Sequence, residues 1–238
     1  RHSTLATRVH LELAAVEASV SYLIGTSTFP GIALSKLDIG PPLSATLAFT
    51  AYRHQVVGAD FATTIGSFGL RGEVAFRSPF GSGDKEYVPM SDLQYVVGVD
   101  HELFGEVSLL AQYSGRVVLD FEELDQSSPL VTLSGGRMVP AQILEKNRMV
   151  AGQLHQVQHS ATLRVGWMAL QDALTLDLVG MVNFTTEEIM IRPKITYDIA
   201  DALTFTAGAE IYLGPEGTLF GTIEQIQSAG FVELRASF

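Results

Sequence analysis

The chain has 238 residues, of which 47% are hydrophobic, a formal net charge of −11 at pH 7 and no cysteine. The missing cysteines exclude a disulfide framework and a thiolate metal site, and the acidic balance argues against nucleic-acid binding, which needs a basic surface. The mean hydropathy is +0.24, yet no run approaches the roughly 20 apolar residues of a membrane-spanning helix.

Apolar and polar residues alternate along most of the chain, which predicts β-strands. In one clear case Leu174, Leu176 and Leu178 fall on one face, and Thr175 and Asp177 fall on the other. We predict eleven strands, at 5–13, 16–26, 43–67, 70–79, 92–101, 106–119, 160–170, 174–184, 189–199, 203–213 and 218–238. Most are about 10 residues long, which is enough to cross a bilayer at the tilt of a barrel strand.

The connections between these strands are alternately short and long. Short turns are predicted at 14–15, 67–69, 102–105, 171–173 and 201–202, and longer loops at 29–42, 81–90 and 120–158, with tighter hairpins at 185–188 and 214–217. Outer-membrane barrels show this asymmetry between periplasmic turns and extracellular loops. The pattern predicts an all-β fold, a transmembrane antiparallel up-and-down β-barrel of the outer-membrane type, as a single domain over 1–238.

The end of the chain is an alternating segment whose apolar face includes Val232, Leu234 and the terminal Phe238. This ending resembles the assembly signal of outer-membrane barrels, so we expect the barrel-assembly machinery to be a partner and Phe238 to lie at the periplasm. Because eleven is odd and single-chain bacterial barrels have an even number of strands, we expect the chain to be the C-terminal portion of a larger barrel. The alternative is that segment 43–67 contains two strands.

The polar face predicts a hydrated lumen if the apolar face meets lipid. The predicted lumen-lining residues are Arg71, Glu73, Arg116, Arg164, Asp177, Arg192, Lys194, Glu210, Glu233 and Arg235. Charges of both signs alternate, so we expect cross-strand pairs, Arg192 or Lys194 with Asp177 or Glu210, and Arg71 or Glu73 with a charge such as Asp60. The residues expected to face lipid include Trp167, Tyr95, Tyr113 and Tyr197.

The longest loop, 120–158, is predicted to be extracellular and functional, because loops of this length are seldom idle. Its segment 141–153 predicts a short amphipathic helix carrying the apolar residues Ile143, Leu144, Met149 and Val150. We expect the loop to fold inward, to bury these residues against Val179 and Met181 and to restrict the pore. The alternative is that it caps the outside. Its acidic residues Glu122, Glu123 and Asp125 predict an acidic outer rim, which either is merely solvated or attracts cations and bridges to lipopolysaccharide.

No catalytic or metal-binding pattern emerges. His155 and His159 have helical ligand spacing, but no H-E-x-x-H motif accompanies them, and Ser160 lies on the opposite face of a strand from His159. Neither a G-x-S-x-G elbow nor a P-loop is present. We therefore predict no catalytic residue, cofactor or metal, and an outer-membrane hydrolase is the least favoured function.

Several segments together resemble a known family. They are 56–76 (VVGADFATTIGSFGLRGEVAF), 93–100 (LQYVVGVD), 111–116 (AQYSGR), 183–197 (NFTTEEIMIRPKITY) and 231–238 (FVELRASF). In order and spacing they look like proteobacterial outer-membrane proteins of the domain-of-unknown-function 1302 type. The resemblance implies a porin-like barrel in the outer membrane of a Gram-negative bacterium, longer than this chain and without established chemistry.

Two functions of different classes follow. The first is a porin-like channel for the passive passage of small solutes, hydrophobic ones among them. The second is a structural barrel that sheaths a partner protein. In either case the expected partners are outer-membrane lipid and lipopolysaccharide, with a homo-oligomer or a partner protein as further options and no nucleic acid.

Overall fold

The computed structural model describes residues 3–38, 40–42, 44–125 and 127–237. Its elements are, in chain order, β1 (Leu5–Glu12), β2 (Val16–Thr26), β3 (Gly31–Asp38), β4 (Ser44–Thr50), β5 (Arg53–Ile65), β6 (Phe68–Pro79), β7 (Asp92–Leu103), β8 (Val107–Val118), β9 (Leu130–Thr132), β10 (Met138–Pro140), α1 (Ala141–Ala151), β11 (Val157–Ala169), β12 (Leu174–Asn183), β13 (Glu188–Ala200), β14 (Leu203–Leu213), α2 (Leu219–Gln227) and β15 (Ala229–Ala236). The fold is all-β, as predicted.

One large sheet dominates the described residues. Eleven strands form it in the order β1-β2-β5-β6-β7-β8-β11-β12-β13-β14-β15, and each pairs antiparallel with its neighbours. Because neighbours in the sheet follow one another along the chain, the architecture is an up-and-down meander. Within the residues described, β1 and β15 each pair on one side only, so the sheet is not closed.

The strand register divides the sheet into two continuous faces, because directly paired residues share a face. Glu73 on β6, for example, pairs with Asp60 on β5 and with Val96 on β7. Following such pairs across the sheet places the charged residues of its strands, apart from Arg53 at the start of β5, on one side, the polar face, and most Leu, Ile and Val residues on the other, the apolar face.

Aromatic side chains on the apolar face concentrate near the two ends of the strands. The rings near the ends that carry long loops include Tyr22, Phe76 and Tyr95, and those near the ends joined by short turns include Phe61, Phe68, Trp167, Tyr197 and Phe205. Tyr113 lies on the same face in the middle of β8. The four rings expected to face lipid therefore lie on the apolar face. Two of these aromatic side chains also cover glycines, since a Cβ on Gly115 would lie 2.4 Å from Tyr95, and one on Gly72 would lie 2.4 Å from Phe61.

The connections at one end of the sheet, the turn end, are all two to four residues long, whereas the other end, the loop end, carries every long connection and also the four-residue hairpin 184–187. Gly66, Gly105 and Asp172 adopt positive φ angles in the short turns, a conformation that tight turns between strands require. At the loop end the chain adds the hairpin β3–β4, the hairpin β9–β10 and both helices. Neither of the two helices in the described part of the chain is long and apolar enough to span a membrane.

Two predicted strands are wrong in extent. Segment 43–67 contains two strands, β4 and β5, but β4 pairs with β3 beyond the large sheet and adds nothing to its width. Segment 218–238 contains α2 before β15. The helix forms because Thr218 caps it, its hydroxyl accepting a hydrogen bond from the Gly221 N–H at 3.2 Å. Phe238, and with it the expected end of the strand, lies outside the described residues, as does Arg1.

Candidate functional site

The ten residues predicted to line a lumen all lie on the polar face. Arg71 and Glu73 are on β6, Arg116 on β8, Arg164 on β11, Asp177 on β12, Arg192 and Lys194 on β13, Glu210 on β14, and Glu233 and Arg235 on β15. Asp177 pairs directly with Lys194, and Glu233 pairs with Thr206. Their common face follows from strand pairing alone, and their contact with a lumen stays a prediction.

Ion pairs join neighbouring strands across this face. Arg192 pairs with Glu210, as predicted, with Nη2 2.7 Å from Oε1. Asp177 pairs with Arg164 on the preceding strand instead, its Oδ2 accepting a hydrogen bond from Nε at 2.9 Å. Because both pairs are partly exposed, each contributes only about 0–1 kcal/mol to stability.

Arg71 pairs with a charge on a neighbouring strand, as predicted, but this charge is not Asp60, the residue given as the example. Arg71 pairs with Asp100 at 2.7 Å, whereas Asp60 pairs with Arg8 at 3.0 Å. The residues paired directly with Arg71 are Ala62 and Gly98, so Asp60 and Asp100 are both its diagonal neighbours. Asp60 is already bound by Arg8 and by the Ser19 hydroxyl, and Arg71 binds Asp100. Among the described residues, no ion pair joins Glu73, Lys194, Glu233 or Arg235 to another side chain.

A buried carboxylate organises the loop end of the polar face. Asp92, at the start of β7, is fully buried and forms ion pairs with Arg77 of β6 and Arg116 of β8. Gln153, which follows α1, is also fully buried and donates a hydrogen bond to Asp92 Oδ2 at 3.0 Å. We call Arg77, Asp92, Arg116 and Gln153 the loop-end clamp. It ties the segment after α1 to three strands of the sheet.

Side-chain amides extend this attachment to other loops. Gln153 binds both the N–H and the carbonyl oxygen of Met90, at 2.9 and 2.8 Å. Asn147 of α1 does the same for Ile32 of β3, at 2.7 and 2.8 Å, and also donates to the carbonyl oxygen of Glu86 at 2.7 Å. Three long connections are therefore held as one layer over the loop end.

Glu86 is the second buried carboxylate of this layer, at 1% exposure. Its Oε1 accepts a hydrogen bond from the Leu34 N–H at 2.7 Å, and Oε2 lies 3.0 Å from Arg137 Nη1. The Arg137 N–H groups are not aligned for a hydrogen bond to Oε2, so the contact is an ion pair without that bond. Sequence reasoning missed Glu86, Asp92, Asn147 and Gln153, because their partners lie far away along the chain.

The helix predicted within the longest loop is present as α1. It ends at Gly152, whose left-handed conformation (φ 65°) caps the last turn, and Arg116 Nη1 donates a hydrogen bond to the Ala151 carbonyl at 2.6 Å. The predicted apolar cluster is only partly buried, since Ile143 and Met149 are buried but Val150 is 52% exposed. Met149 contacts Thr222 of α2 at the loop end.

Two cavities lie in the loop layer and carry opposite charge. The larger, about 570 Å³, is lined by the acidic residues Glu86, Asp120, Glu122, Glu123 and Asp125 and by the basic residues Lys85 and Arg148. Burial lowers the pKa of Arg148, and the nearby Glu122 carboxylate raises it by a smaller amount. Hydrogen bonds from the hydroxyl and N–H of Ser127 lower the pKa of Asp125. We call this the acidic cavity.

The smaller cavity, about 260 Å³, lies against the clamp. Arg77 and Arg116 line it, together with Tyr52, Tyr87, Phe29 and Phe49, and none of the described residues that line it is acidic. We call this the arginine cavity.

No catalytic arrangement is found in the part of the chain that the structure describes. No group of three potential metal ligands comes together there. The His159 ring lies on the apolar face and shares a hydrogen bond with the Tyr113 hydroxyl at 2.5 Å, while Ser160 faces the other way and contacts the Ser114 hydroxyl at 2.6 Å. His155 lies in the loop before β11, so the two histidines do not share a helix.

The comparison with protein-family models finds no match, and neither does the comparison with curated proteins. Among solved structures, the chain is similar to outer membrane phospholipase A from Escherichia coli, with 10% identity over 99% of this chain and 83% of that chain and a TM-score of 0.40. It is also similar to the outer membrane phospholipase dimer of Salmonella typhi with bound calcium, with 9% identity over 99% and 78% and a TM-score of 0.38. At these values neither structure informs the activity of this chain.

Proposed function

We propose that the chain builds the wall of an integral outer-membrane β-barrel through which small solutes pass passively. The observation that carries this proposal is the division of the large sheet into an apolar face and a face that carries nearly all the charged residues of its strands. A sheet buried in a soluble core needs a partner layer over its apolar face. A barrel in a bilayer needs only lipid on that side and water on the other.

The exposure of the apolar face supports contact with lipid. Val9, Val97 and Leu163 are 63%, 58% and 51% exposed although they lie within strands. Each would be unfavourable in water by about 25 cal/mol per Å² of apolar surface, a cost that hydrocarbon removes. The aromatic rings near both strand ends fit the two interfaces of a bilayer, where amphipathic rings are favoured.

The loop layer supports a restricted rather than an open passage. Gln153 and the end of α1 are bound by Asp92 and Arg116, which belong to the polar face. A loop held in this way lies over the hydrated side of the wall, so solutes that follow the polar face would have to pass it. The helix α1 contacts β3 and β10, and the expected burial of its apolar cluster against Val179 and Met181 of β12 stays a prediction.

The test is electrical conductance of the barrel in planar bilayers. Deleting 134–153 should raise single-channel conductance, because it removes α1 and Gln153 from the mouth. A milder variant, Gln153→Ala, loses three hydrogen bonds of 2.8–3.0 Å and should increase current fluctuations. Gln142→Ala is the matched control, since Gln142 is exposed on the same helix.

A sealed, scaffolding barrel is the second candidate. It is favoured by the ion pairs of the polar face, because the opposite charges of each pair, on neighbouring strands, neutralise one another. This candidate predicts no conductance in the intact protein and none after the deletion. Unchanged conductance in a deletion variant that still folds would show that the loop only caps the outside.

A further inference from the structure

The loop-end clamp contains more positive than negative charge. Two guanidinium groups, Arg77 and Arg116, share the single carboxylate of Asp92, whose side chain is fully buried. Arg77 Nε donates to Asp92 Oδ1 at 3.2 Å, whereas the nearest Arg116 nitrogen is 3.6 Å from Oδ2. Arg116 is therefore beyond hydrogen-bond distance of the shared carboxylate.

The C-terminus of α1 offsets only part of this excess. Arg116 Nη1 binds the Ala151 and Gly152 carbonyls, which carry the partial negative charge of a helix end, about half a charge at most. The two side chains are largely buried, at 19% and 23% exposure. A buried positive charge without a full counterion is costly, so the clamp favours an additional anion. In a chain with a net charge of −11, such a site is distinctive.

The walls above the two arginines are aromatic. Tyr52 is buried and Tyr87 is half-buried at the inner part of the arginine cavity, while Phe29 and Phe49 are 74% and 81% exposed at its rim. The backbone packs closely here, since a Cβ on Gly31 would lie 2.0 Å from the Tyr87 carbonyl oxygen. Exposed aromatic side chains beside a cavity mark a surface for an apolar body.

We propose that the arginine cavity binds small aromatic monocarboxylates at the mouth of the barrel. The carboxylate would bind the arginines, whose planar donors match it, and the ring would lie between the aromatic walls. The volume of about 260 Å³ limits the ligand to roughly one ring, since drug-sized ligands occupy pockets of about 300–1,000 Å³. This inference rests on the proposed function, because it names the class of solute that would bind at the entrance of the channel.

Titration of benzoate into the folded barrel in detergent, with the heat of binding measured by calorimetry, tests whether the arginine cavity binds aromatic carboxylates. Benzamide has the same shape without the charge, and acetate has the charge without the ring. Benzoate should bind at least tenfold more tightly than either, because a charge-assisted hydrogen bond is lost in the first and the ring contacts in the second. Equal binding of benzoate and benzamide, or no binding of benzoate at millimolar concentration, would overturn the proposal.

Arg77→Gln is the informative variant. It leaves one arginine with one carboxylate, so it removes the excess charge without leaving Asp92 unpaired, and it should weaken benzoate binding about tenfold or more. Lys36→Gln is the charge control, because Lys36 is exposed, pairs with Asp38 and lies outside the cavity. If Arg77→Gln does not fold, Phe49→Ser at the exposed rim takes its place, with Phe104→Ser at the turn end as its control.

Binding and conductance are separate readouts. A conducting barrel that binds benzoate no better than benzamide would contradict the cavity assignment and leave the passage intact. A barrel that binds benzoate selectively but does not conduct would retain the site and contradict the passage. Unchanged benzoate affinity in both Arg77→Gln and Phe49→Ser would also overturn the site.

Discussion

Leu178→Arg tests which face of the sheet meets lipid. Leu178 lies on the apolar face of β12, paired with Val165 and Pro193 and four residues from Leu174 at the turn end of the strand. Four residues span about 13 Å along a strand, or about 10 Å of depth at barrel tilt. That depth places Leu178 near the middle of the hydrocarbon, where an arginine costs roughly 2–4 kcal/mol.

Two control variants separate depth from facing. Leu174→Arg lies on the same face but at the strand end, where the cost falls to about 0–1 kcal/mol. Gln112→Arg lies in the middle of β8 on the polar face, paired with Gly98 and Thr162, and should cost little in a hydrated lumen. Leu178→Arg should therefore be the only strongly destabilising change of the three.

The free energy of unfolding can be measured by denaturant titration in lipid vesicles. Trp167 is the only tryptophan in the sequence and lies on the apolar face, so its fluorescence should report insertion directly. If Leu178→Arg and Leu174→Arg lower the free energy of unfolding equally, the cost does not depend on depth, which would contradict the placement of the sheet in a bilayer. A larger cost for Gln112→Arg than for Leu178→Arg would reverse the two faces.

Two further predictions concern the loop layer. Gly152→Ala should loosen α1 and speed proteolysis of the loop, because the residue has a positive φ and its Cβ would lie 2.1 Å from Arg116 Nη1; Gly135→Ala, with open space around it, should have no effect. Asp92→Asn should lower the free energy of unfolding by about 3–5 kcal/mol, since it leaves two buried arginines without their counterion. Asp177→Asn, in a partly exposed pair, should lower it by at most about 1 kcal/mol, and similar losses for the two variants would contradict the clamp.

The wall of the sheet could be predicted from the sequence because its alternation depends only on neighbouring residues. The number of wall strands and the shared face of the charged residues follow from the same period of two. The boundary between β4 and β5 could not be located because no glycine or proline marks it from residue 44 to 57, although the alternation breaks at Arg53, His54 and Gln55. Leu219, Ile223 and Ile226 have the spacing of a helix, but they stand directly before an alternating segment, so the whole of 218–238 was assigned to one strand and α2 was missed.

The loop layer could not be predicted, because its contacts join distant parts of the chain. Gln153 and Asp92 are 61 residues apart, and Asn147 and Ile32 are 115 apart. Nothing in the local sequence distinguishes these side chains from other polar residues in loops. Helix formation over 141–151 was predictable from apolar spacing, but the surface on which the helix rests was not.

The odd number of strands in the described sheet determines the direction of any strand that pairs with its edges. β1 runs from the loop end to the turn end, since Glu12 pairs with Glu17 across a short turn, and β15 runs the same way, since Ala236 pairs with Leu203. Direct pairing of β1 with β15 would therefore be parallel, the one such pair in an otherwise antiparallel sheet. In a second copy with the same orientation in the membrane, β1 and β15 also run from the loop end to the turn end, so its edges would likewise pair in parallel with those of the first copy. An antiparallel neighbour of β1 must instead run from the turn end toward the loop end.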